Sequence, residues 1–332
     1  MDKEALLKIR NLKTYFKTTD AYAKSVDDIS FEIAPKETLG IVGESGSGKS
    51  VTALSILGLL PKPQGQIHGG EIIFQGKDLV NASEKELRNI RGNSISMIFQ
   101  EPMTSLNPVY TIKYQITEAI RTHSEIGKDE AAEMVVELLK KVGIPDPEKR
   151  ADNYPHEMSG GMRQRAMIAM ALACNPQLII ADEPTTALDV TVQAQILDLL
   201  RELQNQIGMS IMLITHDLGV VAEMTDRTVV MYAGKIAEYT TTEKLFRNPC
   251  HPYTQGLMES IPRIDQDTER LYAIPGMVPG AADFPEGCRF SNRCKYADET
   301  CMKKIPEMTE AEKGHFVSCF HWQKAQRQGA TS

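Results

Sequence analysis

The chain lacks an apolar run long enough to cross a bilayer. Its longest, Val51 to Leu60 and Met167 to Cys174, fall well short of the roughly 20 residues that a spanning helix needs. Met1-Asp2-Lys3-Glu4 holds no apolar signal segment, so the sequence reads as unexported and any membrane role is expected to go through a partner. Excess positive charge is missing too: a net charge of −7 gives no whole-chain field favouring nucleic acid or anionic lipid. Cysteine is sparse, with six in 332 residues, and disulfides are not expected in an unexported chain. The length suggests two domains, and 42% apolar with 24% charged residues is ordinary for a globular protein.

What is present centres on Gly43-Glu44-Ser45-Gly46-Ser47-Gly48-Lys49-Ser50, a G-x-x-x-x-G-K-[ST] phosphate-binding loop. Thr38 to Val42 ahead of it predicts a buried strand, and Val51 to Leu60 behind it a helix stopped by Pro61. The glycines let successive N–H groups turn inward as an anion nest at a helix N-terminus. Lys49 is suited to the outer phosphates, and the Ser50 hydroxyl to Mg²⁺. The chain is expected to bind a nucleoside triphosphate.

Upstream, Leu6 to Ile9, Ile29 to Ile33 and Leu39 to Val42 predict antiparallel strands leading into the loop. Tyr15 and Phe16, between the first two, offer an aromatic face for an adenine ring or equally for the core. Glu71 to Phe74 and Ile95 to Phe99 predict further strands. The second ends at Gln100, whose amide is placed to face a phosphate or its metal. From Ile112 to about Lys149 the pattern turns helical, including a helix from Asp129-Glu130 whose Met134, Leu138 and Leu139 fall at helical spacing, ended by Gly143 and Pro145.

Ser159 is expected to cap a helix whose first turn holds Gly160 and Gly161. Two glycines there cost roughly 1 kcal/mol each, but they let a phosphate approach the exposed N–H groups. Leu178 to Asp182 predicts a strand buried on both faces. It delivers Asp182 to hold Mg²⁺ and Glu183 to take a proton from an attacking water. Ala187-Leu188-Asp189 leads into a helix over Val192 to Gln206, and Ser210 to Thr215 is another buried strand with His216 at its tip as a phosphate-sensing donor. Arg227 to Tyr232 and Lys235 to Tyr239 are expected to close the core as a hairpin.

In this order, these pieces resemble the ATP-binding subunit of an ABC transporter over roughly residues 5–245. The resemblance makes Gly43 to Ser50 the Walker A loop, with Val51 next to it, and Gln100 the Q-loop residue, a Mg²⁺ ligand alongside Ser50 and Asp182. It makes Ser159-Gly160-Gly161 the signature, Leu178 to Asp182 Walker B, Glu183 the catalytic carboxylate, Ala187-Leu188-Asp189 the D-loop and His216 the H-loop. One departure stands out: the signature's fifth position, often Gln, is Met162, with Gln164 two places on. The implied fold is an α/β P-loop NTPase core of the ABC type, with an antiparallel β subdomain and an inserted helical subdomain at about 105–165. The implied mechanism clamps ATP between this chain's phosphate loop and a partner ATPase's signature.

Beyond residue 245 the sequence predicts a loop-rich extension, 246–332, with little periodicity. Cys288, Cys294, Cys301 and Cys319, spaced C-x5-C-x6-C-x17-C, match no zinc-ribbon pair. Four thiolates in such a segment suit a metal standing in for a core, iron–sulfur or zinc alike. Cys174 reads as a small buried hydrophobe and Cys250 as structural. Asn248 to Thr254, Ile274-Pro275-Gly276 and the four cysteines resemble the dipeptide/oligopeptide importer ATPases. That resemblance implies a [4Fe–4S] cluster on the four cysteines. It also implies a heterodimer with a second, related ATPase beneath two transmembrane permease subunits, at the cytoplasmic face of the cell membrane, fed by an extracytoplasmic peptide-binding protein. The permease contact is expected near the Q-loop and Met103 to Pro108. Competing readings are a nickel or other small-solute importer, a soluble ABC ATPase of DNA repair or translation, and a cluster-bearing redox sensor. The second of these usually carries a long coiled-coil insertion or a second cassette, and the sequence shows neither.

Overall fold

Alternating burial along Leu7–Lys17 (β1) and Tyr22–Ile33 (β2) puts one face of each strand in a core, and the two pair antiparallel. Gly65–Phe74 (β4) and Lys77–Asp78 (β5) complete a four-stranded sheet of order β2-β1-β4-β5. Tyr15 and Phe16 lie inside β1, not between strands. The computed structural model describes residues 5–19, 21–101, 105–186, 188–261 and 272–329. Met1 to Glu4, Met103-Thr104 of the expected docking stretch and Ala187 of the D-loop lie outside them. Two compact units divide the chain.

One unit holds residues 5–33, 38–80 and 215–329, and so the four-stranded sheet, the phosphate loop and the C-terminal extension. Thr38–Val42 (β3) is wholly buried and pairs parallel with Arg227–Tyr232 (β9). It therefore leaves the antiparallel set expected for it, because its apolar residues need cover on both faces. Lys49–Ile56 (α1) starts two residues earlier than predicted and stops well before Pro61, where Gly58 turns the chain at φ +62°. Lys235–Thr241 (β10) pairs with β9 through Ala233-Gly234, both at positive φ, which makes the expected hairpin.

That hairpin does not close the sheet. His315–Val317 (β12) adds antiparallel to β10, and Thr309–Glu312 (β11) to β12. The extension also supplies the helices Thr242–Arg247, Pro252–Glu259, Glu299–Lys303 and Trp322–Gly329. Its Tyr253 and Phe290 share a buried cluster with Val42, Val230 and Tyr232, against which Ile274, Phe284, Cys288 and Cys294 pack. Cys288 and Cys294 thus sit against a true apolar core, contrary to the expectation of a core-less segment.

The other unit holds residues 34–37 and 81–214. Ile95–Ile98 (β6), Leu178–Asp182 (β7) and Ser210–Thr215 (β8) run parallel in the order β8-β7-β6. Around them stand the helices Glu84–Ile90, Ile112–His123, Lys128–Lys141, Pro147–Ala151, Gly160–Leu172 and Val190–Ile207. In Lys128–Lys141 the buried face is Ala131, Val135 and Leu139, while Met134 is exposed. Of the residues expected at helical spacing, Leu139 is buried, Leu138 is half-buried and only Met134 faces out. Cys174 is half-buried, not buried.

Candidate active site

The phosphate loop takes its shape from backbone that only glycine allows. At Gly48 φ is +100°, and a Cβ would stand 2.4 Å from the Ser25 carbonyl oxygen. At Gly43 a Cβ would stand 2.1 Å from the Met231 carbonyl oxygen. Gly48 ends the loop as N-cap of Lys49–Ile56, with no side chain covering that helix start. The Lys49 ammonium is buried and folds back over the loop, donating to the carbonyl oxygens of Gly43 at 2.8 Å and Glu44 at 3.2 Å. Ser45, Gly46 and Ser50 are exposed, Val51 is half-buried, and Ser47 is buried. A helix N-terminus without a side-chain cap, beside an ammonium, makes an anion cradle.

In the same unit Tyr15 is already engaged. Its ring stacks on His68 with centroids 4.9 Å apart, and its hydroxyl donates to Asp27 Oδ1 at 2.7 Å. Asp27 pairs in turn with Lys235 and, more closely, with the buried Arg289. Burial pushes the Tyr15 hydroxyl well above the usual tyrosine range, and the Asp27 bond adds to it. Phe16 is half-buried, its ring against Gly65. His216 is exposed after β8, ahead of the helix Leu218–Met224 that Asp217 caps.

In the other unit β7 is buried throughout and ends at Asp182. Glu183, the next residue, takes φ +47°, a conformation a non-glycine residue adopts only when its surroundings impose it. Its N–H donates to the Ile214 carbonyl, and its Oε2 accepts from Gln100 Nε2 at 3.0 Å and from Thr186 Oγ1 at 2.9 Å. The structure thus joins Gln100 to Glu183, a pairing that no spacing in the sequence announces.

Ser159 caps Gly160–Leu172 as expected, its hydroxyl accepting from the Met162 N–H at 3.3 Å. Gly161, but not Gly160, has a packing cause that the sequence hid. A Cβ at Gly161 would stand 3.0 Å from Val192, so the helix starts close against the beginning of Val190–Ile207. Asp189 caps that second helix, accepting from the Val192 N–H at 3.0 Å, so its carboxylate is engaged there. Gln164 is the residue sequence reasoning undervalued. It is buried, and its amide donates at 2.5 Å to the Pro184 carbonyl, one residue past Glu183. A polar side chain on the buried face of an otherwise apolar helix was the available signal.

In the extension the four cysteines lie within one another's electrostatic field: Cys319 feels Cys288, Cys294 and Cys301, and Cys288 feels Cys301 and Cys294. Burial first, and then these neighbours, push Cys288 up to about 11 and Cys319 to about 12. Backbone N–H groups point at sulfur, from Tyr296 to Cys294 Sγ at 3.4 Å and from His321 to Cys319 Sγ at 3.3 Å. Clustered thiols that resist ionisation on their own, with amide donors aimed at sulfur, fit a site whose thiolate form a cation would stabilise. Cys250 is buried, its thiol feels Glu238, Glu312 and Cys319, and its N–H and that of His251 donate to the two carboxylate oxygens of Glu238.

Residues 26–186 match the ABC transporter family, and residues 237–301 match the oligopeptide/dipeptide transporter C-terminal region. The oligopeptide transport ATP-binding protein AppD of Bacillus subtilis is 51% identical over 319 residues, covering 96% of this chain and 97% of AppD. The chain belongs to the ATP-binding proteins of the oligopeptide/dipeptide ABC importer family. Bacillus subtilis OppD, an oligopeptide transport ATP-binding protein, is 52% identical, with 94% of this chain and 87% of OppD covered. The dimeric ABC transporter cassette MJ0796 superposes with a TM-score of 0.64 at 27% identity, covering 71% of this chain and 98% of that one. The importer ATPase is therefore an ABC ATPase with the family's C-terminal extension, and its activity is ATP hydrolysis coupled to peptide import. No helix among the described residues is long and apolar enough to cross a membrane.

Proposed function

We propose that Glu183 is the base that takes a proton from the water attacking the γ-phosphate, with Gln100 and Thr186 as the groups that aim it. The observation behind this reading is the carboxylate at the end of β7, held in a left-handed conformation and bonded by both side chains. A carboxylate whose backbone and side chain are both fixed can keep one oxygen directed at a water. In this reading Gly43 to Ser50 cradle the phosphates, Lys49 turns from the loop carbonyls to the outer phosphates, and His216 donates to the γ-phosphate. Phe16 takes the adenine, because the ring of Tyr15 is already stacked on His68. Ser50, Gln100 and Asp182 would hold Mg²⁺, which neutralises charge on the phosphates.

Ser159-Gly160-Gly161 would close the site of a second, homologous ATPase, and that subunit's signature would close this one. The pair would work at the cytoplasmic face of the cell membrane beneath two permease subunits, supplied with peptides by an extracytoplasmic binding protein. Cys288, Cys294, Cys301 and Cys319 would hold a [4Fe–4S] cluster, which supplies a compact cationic core for four thiolates.

Co-purification from detergent-solubilised membranes tests the assembly. The expected result is a second ATPase and two permeases bound to this chain, with hydrolysis stimulated by peptide in the presence of the binding protein. Hydrolysis at full rate by the lone chain, or by an assembly in which the partner's signature serine is replaced by alanine, would overturn the composite site. Iron and zinc assays on the same material decide the cysteine site.

A further inference from the structure

Within one unit, the C-terminal extension grips a single residue of the phosphate loop, Glu44, from two sides. The hydroxyl of Tyr253, a fully buried residue, accepts from the Glu44 N–H at 2.8 Å. Arg293 Nη1 lies 3.0 Å from each Glu44 carboxylate oxygen. The guanidinium itself is fixed. Its Nε donates to the Pro275 carbonyl at 2.8 Å and its Nη2 to the Ile274 carbonyl at 3.2 Å, and it lies over the rings of Tyr232 and Phe290. The Arg293 side chain is only 5% exposed, against 30% for Glu44.

This arrangement has an electrostatic purpose in a phosphate loop. A carboxylate at the second loop position opposes the arrival of a triphosphate, while the loop's N–H groups attract it. Charge-assisted bonds to a rigid guanidinium neutralise that carboxylate and hold it aside. We propose that Arg293, with Tyr253, is a positioning residue of the phosphate loop, and that nucleotide affinity depends on the extension through the Arg293–Glu44 pair. The inference rests on the loop as the ATP cradle, which titration of the unaltered protein tests separately.

The test is fluorescent-nucleotide titration and steady-state hydrolysis on the full chain in its assembly. Arg293→Ala is expected to raise the nucleotide Kd and KM about tenfold, the order for losing one charged hydrogen-bonded pair, with kcat little changed. Adding Glu44→Gln to Arg293→Ala is expected to restore affinity, because the unmatched charge is gone, and Arg293→Lys is expected to lie between. A purely structural arginine would not be rescued by Glu44→Gln. An unchanged Kd in Arg293→Ala, or a loss that Glu44→Gln leaves in place, would overturn the proposal. Should Arg293→Ala fail to fold, Arg293→Lys alone and with Glu44→Gln gives the same comparison.

Discussion

The Gln100 amide lies 3.0 Å from the Glu183 carboxylate, so the second residue past β6 and the first past β7 form one polar pair at the C-terminal end of parallel strands. Glu183→Gln is expected to keep ATP binding while hydrolysis falls by about 10²–10⁴. Gln100→Ala, which leaves the carboxylate itself in place, should cost less. Phosphate release and nucleotide titration on both variants check this, and turnover near wild type in Glu183→Gln would remove its role as base.

Gln164 holds the Pro184 carbonyl from inside the unit. Gln164→Leu keeps the volume and leaves that carbonyl unpaired, at an expected cost of about 1–3 kcal/mol. Urea denaturation measures the loss. Slower hydrolysis should accompany it, since Pro184 follows Glu183, the carboxylate proposed as base.

Ser159 and Asp189 both cap helices. Alanine at either is expected to cost about 1 kcal/mol of stability. Ser159→Ala should also lower hydrolysis in the assembled dimer well beyond what Asp189→Ala does. Equal activities at equal stability would leave Ser159 as a cap only.

His251 is fully buried and neutral; burial pushes its imidazole down to about 4 from 6.5. Its Nδ1 accepts from the Tyr253 N–H at 3.0 Å, which the protonated ring could not do. Because the folded value is depressed, its contribution is whole above pH 6.5 and is lost as pH falls toward 4. Over that window stability should drop by about 3 kcal/mol. His251→Asn keeps an acceptor without the titration, so its unfolding free energy should be flatter across the same range; an identical slope would place the pH sensitivity elsewhere.

Cys319→Ser removes a thiol that interacts with Cys288, Cys294 and Cys301 and retains the Cys250 thiol. Anaerobically purified protein should lose its iron and its visible absorption with this change, and Cys250→Ser should retain both. Zinc in place of iron would keep the four-cysteine site and change its metal.

The phosphate loop, the signature cap, the buried strand ending in Asp182 and the β9–β10 hairpin were legible in the chain, because each is a local pattern. Glycine spacing, an N-cap serine, a short apolar run and a two-residue turn dictate structure within a few residues of themselves. The proposal of Glu183 as base started from its place after such a run. Tertiary structure alone decided what lies far apart in sequence: Gln100 meeting Glu183, Gln164 reaching Pro184, and β12 pairing with β10. It also decided that Arg293 neutralises Glu44. Such contacts form between groups 20 to 249 residues apart, and their partners are selected by packing and charge in the folded chain, which no local spacing encodes.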